Sequence, residues 1–437
     1  DVIMARVDSL PEGTKGLLQI ISVVGRESSY DLIKRLTGFT ENELLQQLSV
    51  LKDSELLYER GIYPQSTYIF KHALTQEVAY NSLLLKRKRE VHEKIGRDIE
   101  SLYPDRLEEY CELLAYHFKN SAASENAVKY LELSSQKAAR VNAMEEANTY
   151  FDEAMSLLDN LPESEENRQR RISLLVNMGY MFLMLLKPRE YFNLLVRWKP
   201  IAKELKNHEL LGAFYARLGQ CEYSFGHFDR AIQTLTKAIQ LCEAAGNLEE
   251  VEYAYTWLLA SHYDLSDYDQ LFSLREDALR ILEQKFDPRW YVYTLAFVSR
   301  TCSELGRWDE AVEFGEKALG VAQEYSDNSL IAFAAWNLSI TCGWKVDTVR
   351  AIKYAELALE NAQTPADIAW AQRSLGWAWC RAGKPKKGIE LLINALSSLR
   401  AGHFMSNETD LLCFLGEGYW LAGEEDKARQ TIEELLD

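Results

Sequence analysis

Seven histidines and seven cysteines are the residues best able to hold a metal ion or attack a substrate, and their spacing supports neither. His72, His92, His117, His208, His227, His262 and His403 include no His-x-x-x-His pair. Cys111, Cys221, Cys242, Cys302, Cys342, Cys380 and Cys413 include no Cys-x-x-Cys and are never closer than 21 residues. Zinc sites need such clustered ligands, so no metal centre is read here. The odd, dispersed cysteines read as buried free thiols in a reducing compartment. There is no Gly-x-Ser-x-Gly elbow and no spacing that proposes a Cys–His nucleophile. A phosphate-cradling loop is missing too, because Gly13-Thr14-Lys15 lacks the first glycine of G-x-x-x-x-G-K-[ST]. The 66 carboxylates pair on helix faces as solvated surface. The chain is therefore expected to be no enzyme and to bind no cofactor of its own.

The elements come from composition and period. Of 437 residues 47% are hydrophobic and 26% charged, with only nine Pro and 22 Gly, the profile of a folded, nearly all-helical chain. Residues 1–100 carry 14 basic and 15 acidic side chains, which leaves 35 and 51 for residues 101–437. That second part holds nearly all of the net charge of −17, and so acidic a surface makes nucleic acid a poor partner. The most apolar stretch, Leu174 to Leu186, has 13 residues and includes Asn177, Gly179 and Tyr180, too short and mixed for a bilayer that needs about 20. No signal peptide is read, so a cytoplasmic, non-membrane location is expected. The chain opens at Asp1 inside an amphipathic pattern with no initiator Met, as expected of a piece of something longer. The sequons at Asn337 and Asn407 are incidental on that reading.

A register recurs along the second part. Leu218-Gly219, Gly226, Ala231-Ile232 and Ala238-Ile239 form its clearest copy; Leu375-Gly376, Gly383, Ile389 and Ala395-Leu396 form another. Equivalent positions are Gly179, Gly219, Leu259, Ser299, Ser339, Gly376 and Gly416, spaced 40, 40, 40, 40, 37 and 40. Each period resolves into two helices joined by a tight turn, with small residues where the helices approach. This resembles the tetratricopeptide repeat with its period lengthened from 34 to about 40. The resemblance implies an all-α solenoid of about eight helical hairpins over residues 105–437, a right-handed superhelix. Copies near Ala115/Ala127 and Ser135/Ala147 match less well, and Leu271 stands where Ala is expected.

Residues 1–84 differ. Helical patterns at about 3–10, 14–24, 29–37 and 41–52 precede two β-like runs, Leu56 to Arg60 and Thr67 to Phe70, around Gly61 and Pro64. Three helices and a β-hairpin suggest a small winged-helix domain, with helix-like segments at about 73–84 and 87–102 after it; residues 85–104 are taken as a connecting helix. Sequence-specific DNA binding finds little support, since Thr40 to Ser54 carries Glu41, Glu43 and Asp53 against Lys52 alone. The basic run Lys86-Arg87-Lys88-Arg89 points around more than half of a helix and reads as a solvated linker helix, or as a contact with the acidic solenoid or with a nucleotidase domain.

The segment Tyr68 to Leu83 and the following Lys86 to Gly96, with His72, Tyr80, His92 and Ile95, resemble the region after the ATPase core in signal-transduction ATPases with numerous domains (STAND proteins). The similarity is greatest to those joined to bacterial class III adenylate or guanylate cyclases, in which tetratricopeptide repeats follow. It implies upstream ATPase and cyclase domains acting in cis, with ATP or ADP bound there. It also implies that His72 touches the β-phosphate of ADP and holds the resting state closed. The alternative is that His72 caps the next helix or bonds within the wing.

If the first helix of each repeat lines the concave side, its second position reads Ala213, Tyr253, Tyr293, Phe333, Trp370 and Asp410. Neighbouring inward positions add Tyr223, Tyr263, Arg300, Trp336, Trp344, Arg373, Trp377, Arg381 and Trp420. Such a strip suits an extended peptide, a partner helix or a stacked planar ligand; the competing reading is that these residues are core. The expected function is the regulatory, partner-sensing region of a signalling ATPase. A stand-alone adaptor is the alternative, and a winged-helix transcription regulator the third.

Overall fold

The computed structural model describes residues 2–404 and 408–436; Asn407 of the second sequon lies outside them. The chain divides into two compact units, residues 1–138 with 146–161, and residues 139–145 with 162–437. The first unit thus runs beyond residue 104 and takes in helical segments that the repeat register assigned to the solenoid.

The first unit begins α1 (Val2–Asp8), α2 (Glu12–Val24), β1 (Glu27–Ser29), α3 (Tyr30–Thr37), α4 (Glu41–Asp53), β2 (Leu57–Arg60) and β3 (Thr67–Phe70). The strands form an antiparallel sheet in the order β1-β3-β2, with Glu27 opposite Ile69 and Leu57 opposite Phe70. Ser29 caps α3, which ends at Gly38 in the left-handed conformation. Thr40 opens α4 through a capping box with Glu43, so two local signals set the turn between these helices. Leu17, Ile21, Ile33, Leu44, Leu48, Leu51 and Phe70 make one buried core. The strand β1 adds to the expected hairpin; Glu27, Ser28 and Ser29 are polar and too few to announce a strand. Next come α5 (Ala73–Asn81), α6 (Leu85–Leu102), α7 (Cys111–Lys119), α8 (Ser124–Arg140) and α9 (Met144–Asp159).

The second unit contains α10 (Glu165–Asn177), α11 (Gly179–Met184) and α12 (Pro188–Glu204). Six helical hairpins follow: α13 (His208–Ser224) with α14 (Phe228–Ala245), α15 (Leu248–Asp264) with α16 (Tyr268–Gln284), and α17 (Pro288–Glu304) with α18 (Trp308–Glu324). The other three are α19 (Asn328–Trp344) with α20 (Thr348–Asn361), α21 (Pro365–Arg381) with α22 (Pro385–Ala401), and α23 (Glu408–Leu421) with α24 (Glu425–Leu436). First helices of successive hairpins touch one another as well as their partners. The first helices of the first five hairpins are buried on most sides and form an inner layer: 14 of 17 residues of α19 are buried, against six of 17 in α18.

The small residues of the register sit where the two helices of a hairpin cross. The Ser299 hydroxyl donates to the Ala311 carbonyl at 2.6 Å, and the Ser339 hydroxyl to the Ala351 carbonyl at 2.8 Å. At Gly376 a Cβ would lie 2.8 Å from the Gly388 carbonyl oxygen, and at Gly219 it would lie 2.6 Å from Leu235. The backbone at Gly388 and the Leu235 side chain leave no room at these two positions for a larger residue. In the first unit Ser135 makes the same bond to the Ala147 carbonyl at 2.7 Å, so that weaker copy has the hairpin geometry. Where Leu259 and Leu271 occupy the paired positions, both are fully buried and fill the crossing instead.

The apolar stretch Leu174 to Leu186 is interior. Tyr180 lies under the Arg289 guanidinium at 4.0 Å, and the Thr364 hydroxyl reaches the Met184 sulfur at 3.7 Å. A side chain at Gly402 would collide with Leu186. Among the described residues no helix is long and apolar enough to cross a membrane. Six cysteines are buried; Cys413 is exposed, contrary to the expectation, and lines a hollow between α23 and α24.

Candidate functional site

The strip predicted from the repeats is assembled by the inner layer, and most of it is closed. Tyr223, Tyr253, Tyr263, Tyr293, Arg300, Phe333, Trp336, Trp370, Arg373 and Trp377 are all buried. Arg381 is partly exposed, Trp344 is 39% exposed and Trp420 is 66% exposed. Residues one repeat apart meet face to face: the Tyr293 and Phe333 rings stack at 3.7 Å and 6°. Phe333 continues edge-on to Trp336 at 5.4 Å and to Trp370 at 6.1 Å. Further along, Trp377 stacks on Phe414 at 4.4 Å and donates its indole N–H to Glu417 at 2.6 Å. What is left open between Tyr223, Tyr293, Arg300, Phe333, Trp336 and Trp370 is a cavity of about 20 Å³, walled also by Trp257, Phe297 and Phe404. That is room for about one water molecule.

Set into this aromatic wall is a charged group. Arg300 Nη2 donates to Asp410 Oδ2 at 2.6 Å across 110 residues of sequence. Arg373 Nη1 lies 3.7 Å from the same oxygen. The Arg300 guanidinium covers the Tyr263 ring at 4.5 Å and that of Arg373 covers Trp336 at 4.6 Å, favourable cation–π geometry. The Arg373 side chain is 0% exposed, and none of its three nitrogens has a hydrogen-bond partner among the described residues. Burial lowers the Arg373 guanidinium to about 10, still charged at neutral pH. Burial raises the Asp410 carboxyl, but Arg300 and Arg373 outweigh it and leave it below the usual range. Asp264 faces the same group, its carboxyl pushed up to about 7 mainly by burial.

Sequence reasoning placed Asp410 in the inward register without seeing that it pairs with Arg300, and it missed Trp257, Asp264 and Phe404. The available signal for Trp257 was its place one helical turn after Tyr253; Phe404 has no place in the register.

Elsewhere the predicted residues separate. His72 is exposed and holds the N-cap position of α5, two residues after the end of β3, with no capping bond from its side chain. The basic run lies exposed or half-exposed on α6, with Lys88 4.2 Å over the Tyr80 ring and Arg87 paired to Glu90. His92 and His117 are buried in the first unit, Nδ1 to Nδ1 at 2.9 Å, with the Tyr80 hydroxyl 3.2 Å from His92 Nε2. Asn337 is buried and donates to the Phe333 carbonyl, so that sequon is sealed in the core. No group of three or more metal-ligating side chains occurs among the described residues. A hollow of about 700 Å³ opens between α23 and α24, lined by Cys413, Trp420, Ala428 and Ile432.

Comparison with known proteins bears on this architecture. A family model of the tetratricopeptide repeat matches residues 251–324, and one of anaphase-promoting complex subunit 5 matches residues 126–264. No curated protein matches the chain in sequence. Among solved structures, a STAND protein with a tetratricopeptide repeat sensor from Pyrococcus horikoshii is similar over 98% of this chain, at 15% identity and a TM-score of 0.53. The chain spans 63% of that protein's length. A Rap protein complexed with competence and sporulation factor is similar over 72% of this chain and 97% of its own (17% identity, TM-score 0.52). The Rap conjugation gene regulator of the plasmid pLS20, in complex with a Phr peptide, is similar over 74% and 93% (14% identity, TM-score 0.54). These likenesses concern the fold, a tetratricopeptide-like α-solenoid.

Proposed function

We propose that this chain is the regulatory, partner-binding region of a larger signalling ATPase, in which ligand binding to the inner layer of the solenoid alters the nucleotide state of an upstream ATPase core. The observation that carries the reading is the pairing of two features in one chain. One is a small helical unit with a three-stranded sheet and an exposed histidine at its strand-to-helix junction; the other is a solenoid whose inner layer is aromatic and contains two buried arginines. The STAND protein with a repeat sensor supports the arrangement, being similar across 98% of this chain. The first part of the small unit is read as a winged helix, with His72 free to meet a phosphate, and an adenylate or guanylate cyclase is the output domain proposed from the resemblance. ATP or ADP would bind upstream, with no cofactor held by this chain.

The inner layer is packed against itself, so ligand binding works by shifting the solenoid from a closed to an opened arrangement. A peptide is the ligand class best supported, since the similar Rap conjugation gene regulator was solved in complex with a Phr peptide. In the full-length protein His72→Ala is expected to speed ADP release and raise basal activity. Unchanged nucleotide exchange would refute the sensor role.

A second reading, a free-standing adaptor, draws on the Rap proteins being matched over 97% and 93% of their own lengths. The coding sequence upstream of Asp1 decides between the two. A P-loop ATPase there upholds the first, and a start codon upholds the second.

A further inference from the structure

We propose that Arg300 and Arg373 form the seat for a carboxylate of the solenoid's ligand, and that Asp410 occupies this seat in the ligand-free chain. The inference rests on the reading of the inner layer as the ligand-binding face and names the chemistry of its anchor.

Charge balance is the first argument. Two guanidiniums face one ionised carboxylate, Asp410, together with Asp264, which carries only part of a negative charge. Positive charge is left over in a wall of Trp336, Tyr263 and Tyr223, where there is room for about one water to screen it. Arg300 has its 2.6 Å bond to Asp410, but Arg373 has no hydrogen-bond partner among the described residues for any of its three nitrogens. A buried charge in that condition calls for a missing anion or water.

Geometry gives the class of anion. Asp410 shows that a carboxylate fits, because one oxygen reaches Arg300 at 2.6 Å and stands 3.7 Å from Arg373. That contact leaves the planar fork of Arg373 unused, and the fork matches a carboxylate through two parallel N–H bonds. A phosphate dianion would exceed the surplus charge and would have to shed its water against indole and phenol rings. Access comes through Asp410, whose side chain is 35% exposed while Arg300 and Arg373 are 6% and 0% exposed. An incoming carboxylate can therefore replace Asp410 from the solvent side, and release of Asp410 frees α23 from α17. Ligand binding and opening of the inner layer become one event.

The experiment is carboxylate rescue in the full chain. Asp410→Ala is melted while chloride is replaced by acetate at constant ionic strength. The expected result is a saturable rise in Tm of roughly 3 °C, a much smaller rise in the native chain, and none when Arg373→Met is added. If Asp410→Ala does not fold, Asp410→Asn is read through tryptophan fluorescence with the same acetate series. A response that is absent, equal in chloride, or retained in Arg373→Met overturns the proposal. A blocked aromatic tetrapeptide containing one aspartate forms the second arm. Saturation below the acetate midpoint marks the ligand as a peptide, and saturation by acetate alone marks it as a small free carboxylate; both uphold the seat. Rescue tests the seat by itself, so its failure leaves the proposed function standing. Failure of the proposed function would appear instead as a native chain that no ligand opens.

Discussion

Tyr293 and Phe333 stand one repeat apart in sequence and lie flat on each other, 3.7 Å between ring centres. Their stacking makes the inner layer a column of rings that passes from α17 to α19 and, through Trp370, to α21. Side chains in such a column are held by neighbours on both sides, and their removal opens space that the helices cannot close independently.

Trp336→Ala and Phe333→Ala are expected to cost about 3–5 kcal/mol each, the usual price of deleting a buried ring. Urea denaturation followed by circular dichroism measures the loss. Changes below about 1 kcal/mol would mean that the column is open in solution and that these rings line a groove.

At the helix crossings, Ser339→Ala keeps the close approach and forfeits one hydrogen bond, an expected cost of about 1 kcal/mol. Ser339→Leu must push α19 away from α20 and should cost about 1–3 kcal/mol through overpacking. Gly376→Ala tests the same point, since its new Cβ would meet the Gly388 carbonyl oxygen at 2.8 Å. Equal midpoints for the alanine and leucine variants at 339 would show that the crossing is loose.

The buried histidine pair makes the first unit sensitive to acid. Burial lowers His92 to about 4 and His117 to about 3, below an unfolded value of about 6.5. A Tyr80 hydroxyl donating to His92 Nε2 leaves Nδ1–H of His92 to donate to His117, so neither ring can take a second proton without breaking that chain. Because the folded values are depressed, this part of the stability is fully present above about pH 6.5 and is lost as pH falls towards 4. His92→Phe combined with His117→Leu should flatten the decline in denaturation midpoint between pH 7 and pH 4.5. An unaltered slope would place the acid sensitivity elsewhere.

Glu252 works in the opposite direction. Neither of its buried oxygens has a hydrogen-bond partner among the described residues, and burial, aided by Asp287, pushes its carboxyl up to about 7. A raised folded value means stability that is present below about pH 4.5 and lost as pH rises through 7. Glu252→Gln should therefore unfold at higher temperature than the native chain at pH 8, and the gap should narrow at pH 5. A variant less stable at both values would show that the carboxylate has a partner in solution.

The sequence carried the hairpin architecture because most of the helix crossings hold Gly, Ser or Ala, with Leu259 and Leu271 the exception. Gly219, Ser299, Ser339 and Gly376 stand out for that reason. Which helices carry these aromatic residues was legible too: Tyr253, Tyr293, Phe333 and Trp370 all sit on the first helices of their hairpins. Their closure was not, because period reveals which side of a helix a residue takes and says nothing about what covers it. Covering groups come from far away in sequence, Tyr180 and Met184 from the apolar stretch and Asp410 from α23. β1 escaped notice since three polar residues have no alternation to read, and Cys413 was misjudged because thiol burial depends on tertiary neighbours.

The link between Arg300 and Asp410 joins α17 to α23, which belong to hairpins three apart. Arrays of repeats commonly stretch and recoil as springs, each hairpin yielding to its neighbour in turn. Here a clasp spans the coil, alongside Gly402 packed on Leu186 and Arg189 beside His403, so tension applied to the C-terminal hairpins would be borne by these long-range contacts before any hairpin extends. The array would then be stiff under small loads and would lengthen abruptly once the clasp lets go.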